Sequence, residues 1–372
     1  MRGPEGYENW RRFIEGAEPH EAYEFPIFTD ARIVGEYAEQ SPYQFFNPVV
    51  TAPIRLKRGI VARVQFYKDE EVSFSETYES VDGSYHGGGL TDELAAFVSL
   101  VLGVRAKPGD WSRRFHSAKD RGRPIGSGYK QDPTLLLADS GAVIPLNDDG
   151  YNLVQMELLT TYTKLTPQQA IVLVKSARLY QDGLWIAEAE PELAWLMLVS
   201  AVETVAASVY PEELSPEEVL KRAKPPLFEQ LASRNDPELL RVVSEQLAPT
   251  LQPTKKFVDF LLRFLPPAPS PRPSEWFQVR WSKSALRDTL STIYGHRSKA
   301  LHAGTPFPQP MCDRAARDDS TGFFAERPYA GKVQIGETVW VAEDYPMYLH
   351  TFAYVVRLAL IGWWKSLVGR EA

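Results

Sequence analysis

Tyr294-Gly295-His296-Arg297-Ser298-Lys299-Ala300-Leu301-His302-Ala303-Gly304 closes a stretch that reads as a helix and is more positively charged than the rest of the chain. Ser282 can cap that helix, Leu286, Leu290 and Ile293 give it one apolar stripe, and Gly304 with Pro306 beyond it provides a stop. From Trp276 to His302, five cations (Arg280, Lys283, Arg287, Arg297 and Lys299) face one acid, Asp288. The whole chain has 372 residues and a formal net charge of -7. A basic island beside an apolar stripe in such a protein marks a site.

Working outward, the second half reads as helix after helix. Thr166-Pro167-Gln168-Gln169 has the form of a capping box with proline at the first helical position, and Ser215-Pro216-Glu217-Glu218 repeats it. Asp236-Pro237-Glu238 places an aspartate cap before Leu239, Leu240, Val243 and Leu247, and a separate helix is expected over Thr254 to Leu265. Glu192 to Val209 is apolar almost all round, as a central bundle helix is. Glu203 in that helix then needs a partner, and a cation is the simplest one. Pro266 to Pro273 is too proline-rich for a helix. Lys332 to Ile335 and Thr338 to Ala342 flank Gly336-Glu337 as a hairpin, and Tyr345 to Leu367 reads as the last helix.

Residues 1 to about 150 read differently. Val49 to Leu56, Ile60 to Tyr67 and Val72 to Tyr78 are rich in β-formers, with breaks at Lys57-Arg58-Gly59 and Lys68-Asp69-Glu70 that suggest antiparallel hairpins. Thr91-Asp92-Glu93 opens an apolar helix over Leu94 to Val104 with its acids in the first turn. Asp110 to Lys130 is a polar, glycine-rich segment with six Lys and Arg, read as a solvated connector or a nucleic-acid-facing loop. The expected class is α+β: a mixed, β-rich domain over 1-155, then an all-helical domain over 156-372 with an inserted β-hairpin. The first domain is a candidate sensor or target-binding module.

Composition and motifs narrow the functions. The single cysteine, Cys312, excludes an intramolecular disulfide and a cysteine-based zinc site, and it fits a reducing compartment. The opening residues lack an apolar leader core, so a cytoplasmic location is expected. Met347 to Trp364 is interrupted by His350 and Arg357 and reads as a core helix, not a membrane span. His86-Gly87-Gly88-Gly89 resembles an esterase oxyanion loop, but no Gly-x-Ser-x-Gly accompanies it. Gly126-Ser127-Gly128-Tyr129-Lys130 lacks phosphate-loop spacing, and the histidines do not form a metal-binding pattern.

Arg297 and His302 remain. A neutral imidazole can take the proton of a ribose 2′-hydroxyl, and a guanidinium can neutralise charge growing on phosphate oxygens, with no metal or cofactor. Five residues are about 140° around a regular helix. The two side chains therefore share a face only if the helix is distorted at Gly295, if Arg297 reaches around, or if a second subunit completes the site.

Two segments carry a resemblance. Arg297-Ser298-Lys299-Ala300-Leu301-His302, preceded by Tyr294, is similar to the Arg-polar-x3-His signature of the HEPN superfamily, in its Apea-like branch. Ala194-Trp195-Leu196-Met197-Leu198-Val199-Ser200-Ala201-Val202-Glu203-Thr204 resembles that family's apolar helix with its Ser-Ala-x-Glu-Thr stretch. The resemblance spans roughly residues 160 to 370. It implies a dimeric helical bundle and a metal-independent endoribonuclease of bacterial antiphage or toxin systems, with RNA and a phage-derived or operon-encoded protein as partners. It implies catalytic roles for Arg297 and His302, supported by Glu203, Tyr294, Ser298 and Lys299, with Arg280, Lys283 and Arg287 as RNA-binding candidates. The segment from Thr305 to Asp344 looks like an insertion between the motif helix and the last helix. The same bundle without activity, serving for dimerisation or for binding RNA or a ligand, is the competing expectation.

Overall fold

The computed structural model describes residues 2–38, 41–48, 57–67, 83, 85–116, 120–125, 131–135, 141–146, 150–210, 215–329 and 331–369. The fold is α+β, with strands dominant in the N-terminal region and helices after it. The chain forms two compact units, Met1–Met197 with Ile361–Ala372, and Leu198–Leu360. The boundary expected at residue 155 falls inside the first unit.

The first unit begins with α1 (Glu5–Ile14) and β1 (Glu21–Thr29), neither of which the sequence had flagged. Short strands β2 (Ile33–Val34), β3 (Glu36–Tyr37) and β4 (Tyr43–Phe46) lead to β5 (Lys57–Phe66). After α2 (Leu90–Leu102) come β6 (Lys107–Pro108), β7 (Arg113–Phe115), β8 (Arg123–Pro124) and β9 (Tyr151–Asn152). The main sheet runs β3-β4-β5-β1-β7-β8, with β6 also on β1, and β1 pairs antiparallel with β5. The expected strands over Val49 to Leu56 and Val72 to Tyr78 lie outside the described residues.

Lys57-Arg58-Gly59, expected as a turn, is the start of β5 instead. Gly59 serves a close approach: a Cβ there would sit 2.3 Å from Thr29 Cγ2. The α2 helix starts earlier than expected, at Leu90, because Asp92 reaches back to the Gly89 N–H at 3.2 Å. It ends at Gly103, whose φ of 74° suits a left-handed cap. Glu93 on α2 is fully buried, accepting from Gly6 N at 3.0 Å and meeting His86 Nε2 at 3.0 Å. Its carboxyl is pushed up by burial, partly offset by His86.

A 3-10 helix over Leu153–Lys164 follows. Its buried residues Leu153, Met156, Leu159 and Tyr162 recur every three positions, which makes one stripe at three residues per turn. Tyr162, Phe97 and Trp364 pack together in the core of this unit. The expected capping box opens α3 (Pro167–Ile186): Thr166 Oγ1 accepts from Gln169 N at 3.3 Å and Gln169 Oε1 from Thr166 N at 2.8 Å.

The division between the units falls within α4 (Pro191–Val209) and within the last helix. By length and hydropathy α4 alone, among the described residues, could cross a bilayer. Its Trp195, Leu198, Val202 and Val205 are wholly buried in the protein.

The second unit continues with α5 (Pro216–Ala223), α6 (Pro225–Ala232), α7 (Pro237–Arg263), α8 (Lys283–Ala303) and the short α9 (Gln309–Cys312). The expected hairpin is present as β10 (Lys332–Ile335) and β11 (Thr338–Val341), and α10 (Leu349–Val368) closes the chain. Ser215, Asp236 and Ser282 cap α5, α7 and α8 through their side chains, as their positions suggested.

One expectation fails here. The two helices read over Asp236 to Leu247 and Thr254 to Leu265 are a single 27-residue helix, α7, that continues through Pro249 and Pro253. Each proline leaves the carbonyl four residues back, that of Glu245 and that of Pro249, without its helical donor, so two bonds are lost. Packing of α7 against α5 and α8 supplies the compensation.

A knot of hydrogen bonds joins residues 272–279, which include a single 3-10 turn over Glu275–Phe277, to residues 318–326. Arg272 grips Glu326 with Nε (2.7 Å) and Nη2 (2.6 Å), and Glu326 Oε2 also accepts from Val279 N at 2.7 Å. Asp318 accepts from Ser274 N at 2.7 Å and from the Ser320 and Thr321 hydroxyls, which hold its carboxyl well below the usual range.

Candidate functional site

Helix α8 presents the basic island. Leu286, Leu290, Ile293 and Tyr294 are buried at helical spacing, and Phe257 of α7 packs on the Tyr294 ring at 5.2 Å. One turn on from Tyr294, Arg297 follows the same side of the helix. Its Nη2 donates to Glu203 Oε2 at 2.7 Å, and the Tyr294 hydroxyl donates to Glu203 Oε1 at 2.6 Å. The Arg297 guanidinium also lies 5.5 Å from the Tyr294 ring centroid.

Glu203 and Arg297 are 22% and 19% exposed, so the pair is shielded yet reachable. Burial, and then the bond to Glu203, push the Tyr294 hydroxyl up, so it stays a donor at neutral pH. Arg297 Nε is buried without a hydrogen-bond partner among the described residues. Beside this set, Glu203 lines a cavity of about 260 Å³ with Ala206, Ala207, Gln252, Pro253 and Lys256.

The other candidates lie elsewhere on α8. The helix is continuous from Lys283 to Ala303, without distortion at Gly295. Regular geometry therefore turns His302 about 140° away from Arg297. His302 is exposed in the last turn, ahead of the Gly304 cap at φ 62°. Lys299 is exposed and Ser298 half-buried. Arg287 pairs with Asp259 Oδ1 at 3.2 Å, while Arg280 and Lys283 are exposed near the start of the helix. Thus Glu203, Tyr294 and Arg297 are brought together; His302, Arg280 and Lys283 are not part of that cluster.

Two features of this region escaped the sequence. His296 packs against Phe307 at 6.0 Å, and because the Asp344 carbonyl can only accept, His296 Nε2 is the donor of their 2.7 Å bond. Burial lowers the His296 pKa, so the ring is neutral in the fold near pH 7. Gln252 and Lys256 line the cavity one turn apart, a spacing that stayed hidden while Pro253 was read as a helix breaker. Among the described residues, no group of three His, Cys, Asp or Glu side chains is placed to hold a metal ion. No family model, curated protein or solved structure matches the chain.

Proposed function

We propose that the protein is a metal-independent endoribonuclease of the HEPN type. His302 takes the 2′-hydroxyl proton, and the resulting oxygen attacks the adjacent phosphorus. Arg297 neutralises the charge that builds on the phosphate oxygens as the bond to the 5′-oxygen breaks. A protonated His302 imidazole, now the general acid, gives its proton to that leaving oxygen, so that a 2′,3′-cyclic phosphate and a free 5′-hydroxyl result. Glu203 and Tyr294 are positioning residues that fix the guanidinium, while Arg280, Lys283 and Arg287 attract the RNA backbone. Two copies of the chain complete each site, since one copy holds Arg297 and His302 on different faces of α8. Cytoplasmic antiphage or toxin action, with a phage-derived or operon-encoded protein as trigger, belongs to the same proposal.

The observation that carries it is the 2.7 Å contact between Glu203 and Arg297, which lie 94 positions apart. Each belongs to one of the two segments that resemble the family, and they meet. Total RNA incubated with purified protein in the presence of a chelator tests the reading. Cleavage is expected, with His302→Ala and Arg297→Ala each lowering the rate by about 10²-10⁴-fold. Equal cleavage by all three proteins sinks the assignment.

One observation favours a second reading, in which the same bundle binds RNA or dimerises without cutting. His302 makes no hydrogen bond that would orient its ring, among the described residues. Salt-sensitive RNA binding with no cleavage in the same experiment selects this alternative.

A further inference from the structure

The sheet of the first unit has a polar face that the ribonuclease reading leaves unused. Side chains alternate across strands. Phe25, Ala62, Val64, Tyr43 and Phe45 are all buried on one face, so their neighbours Gln44, Arg63 and Gln65 turn to the other. A cavity of about 190 Å³ opens on this second face, lined by Arg63, Gln44 and Gln65 together with Phe115, His20 and His116.

Arg63 is held firmly. Its Nε and Nη2 both donate to Glu24 Oε1, at 2.9 and 2.5 Å, and its guanidinium lies 4.6 Å from the Phe115 ring centroid and 5.6 Å from that of Phe46. Gly122, at φ 75°, closes on Phe115 so tightly that a Cβ would fall 2.4 Å from the ring. Arg63 Nη1 has no hydrogen-bond partner among the described residues and remains a free, pre-oriented donor.

The two carboxylates of the cavity are already satisfied. Glu21 accepts from Arg114 Nε at 3.0 Å, from Arg114 Nη2 and from the Tyr23 hydroxyl, and these bonds bring its carboxyl down to about 2. Asp120 accepts from the backbone N–H groups of His116 (3.2 Å) and Gly122 (3.1 Å). The β7-β8 hairpin that supplies Phe115 and His116 also carries exposed Arg113, Arg121 and Arg123. The lining carboxylates are thus occupied by other donors, and with the arginines beside the cavity counted, Arg63, Arg113, Arg114, Arg121 and Arg123 outnumber Glu21, Glu24 and Asp120.

We infer that this cavity binds a phosphomonoester, the terminal phosphate of a nucleotide, with Arg63 Nη1 and the His20 and His116 rings donating to its oxygens and the Gln44 and Gln65 amides beside the attached sugar. Ordinary small-molecule pockets start near about 300 Å³, so the space suits a phosphate and the group it is bonded to, not a whole dinucleotide. The phosphate can come from a free mononucleotide or from the 5′ end of a strand. This site does not depend on the ribonuclease reading.

Calorimetric titration of the full chain decides the matter, using AMP, adenosine, and trideoxynucleotides with and without a 5′-phosphate. The deoxy strands lack the 2′-hydroxyl needed for cleavage, so their binding is scored whether or not the protein cuts RNA. AMP is expected to bind and adenosine not, with His116→Ala weakening AMP about tenfold and Gln44→Glu, which adds a negative charge to the cavity that holds the phosphate dianion, also weakening it. A 5′-phosphorylated strand binding more tightly than AMP identifies a strand end as the source; AMP binding more tightly identifies a free nucleotide. Equal binding of AMP and adenosine, no binding of either phosphorylated probe, or unchanged affinity in both variants overturns the proposal.

Discussion

Glu203 holds two donors, the Tyr294 hydroxyl and Arg297 Nη2, at 2.6 and 2.7 Å. Glu203→Ala leaves both without their acceptor in a half-shielded place, and a loss of about 1-3 kcal/mol is expected in urea unfolding. Glu203→Gln keeps an acceptor oxygen and should lose less. An unchanged midpoint for Glu203→Ala would show that the contact does not persist in solution. The need for a cationic partner was legible, because a carboxylate in an apolar helix must be paired. The partners of Glu93 and Glu326 could not be read in the same way. Those carboxylates accept from the backbone N–H groups of Gly6 and Val279, 87 and 47 positions away, and a backbone donor has no residue signature.

Among the elements, those whose signals are local were read well. Caps at Thr166, Ser215, Asp236 and Ser282, and the hairpin turn at Gly336, involve residues within a few positions of one another. The readings that failed set a local rule against packing, as at Gly59 inside β5 and at Pro249 and Pro253 inside α7. Gly295 offers a direct check on the regularity of α8. A Cβ there meets nothing within 4 Å, so Gly295→Ala should stabilise the chain by about 0.5-1 kcal/mol through helix propensity alone. A lower melting temperature for this variant would contradict a continuous helix through the motif.

On the scale of the whole chain, the α+β order was legible from the change of periodicity near residue 150, but the units were not. Compactness follows contacts between distant segments, and the first unit takes in α3 and the end of α10, far along the chain. Acid should be felt most in the second unit. His350 is half-buried, donates Nε2 to the Ala325 carbonyl at 2.8 Å, and has its pKa brought down to about 4 by desolvation. His296 shifts in the same direction. An unfolded histidine binds its proton near pH 6.5, so between there and about 4 the unfolded state holds the extra proton. Stability is full above pH 6.5 and falls as pH drops through that window, by roughly 3 kcal/mol for His350. Thermal unfolding at pH 7.5 and 5 should show this, with a shallower slope in His350→Gln; equal slopes in both proteins would count against the assignment.

The knot formed by Arg272, Glu326, Asp318 and Ser274 lies in a region with little regular structure, where a chain ordinarily accepts extra residues with ease. Here the spacing between donor and carboxylate sets the order, and any lengthening between Ser274 and Val279, or between Asp318 and Glu326, pulls a buried charge from its partner. The two segments must therefore be inherited as a matched pair, and a graft of either one alone into a different chain would arrive without the half that shapes it.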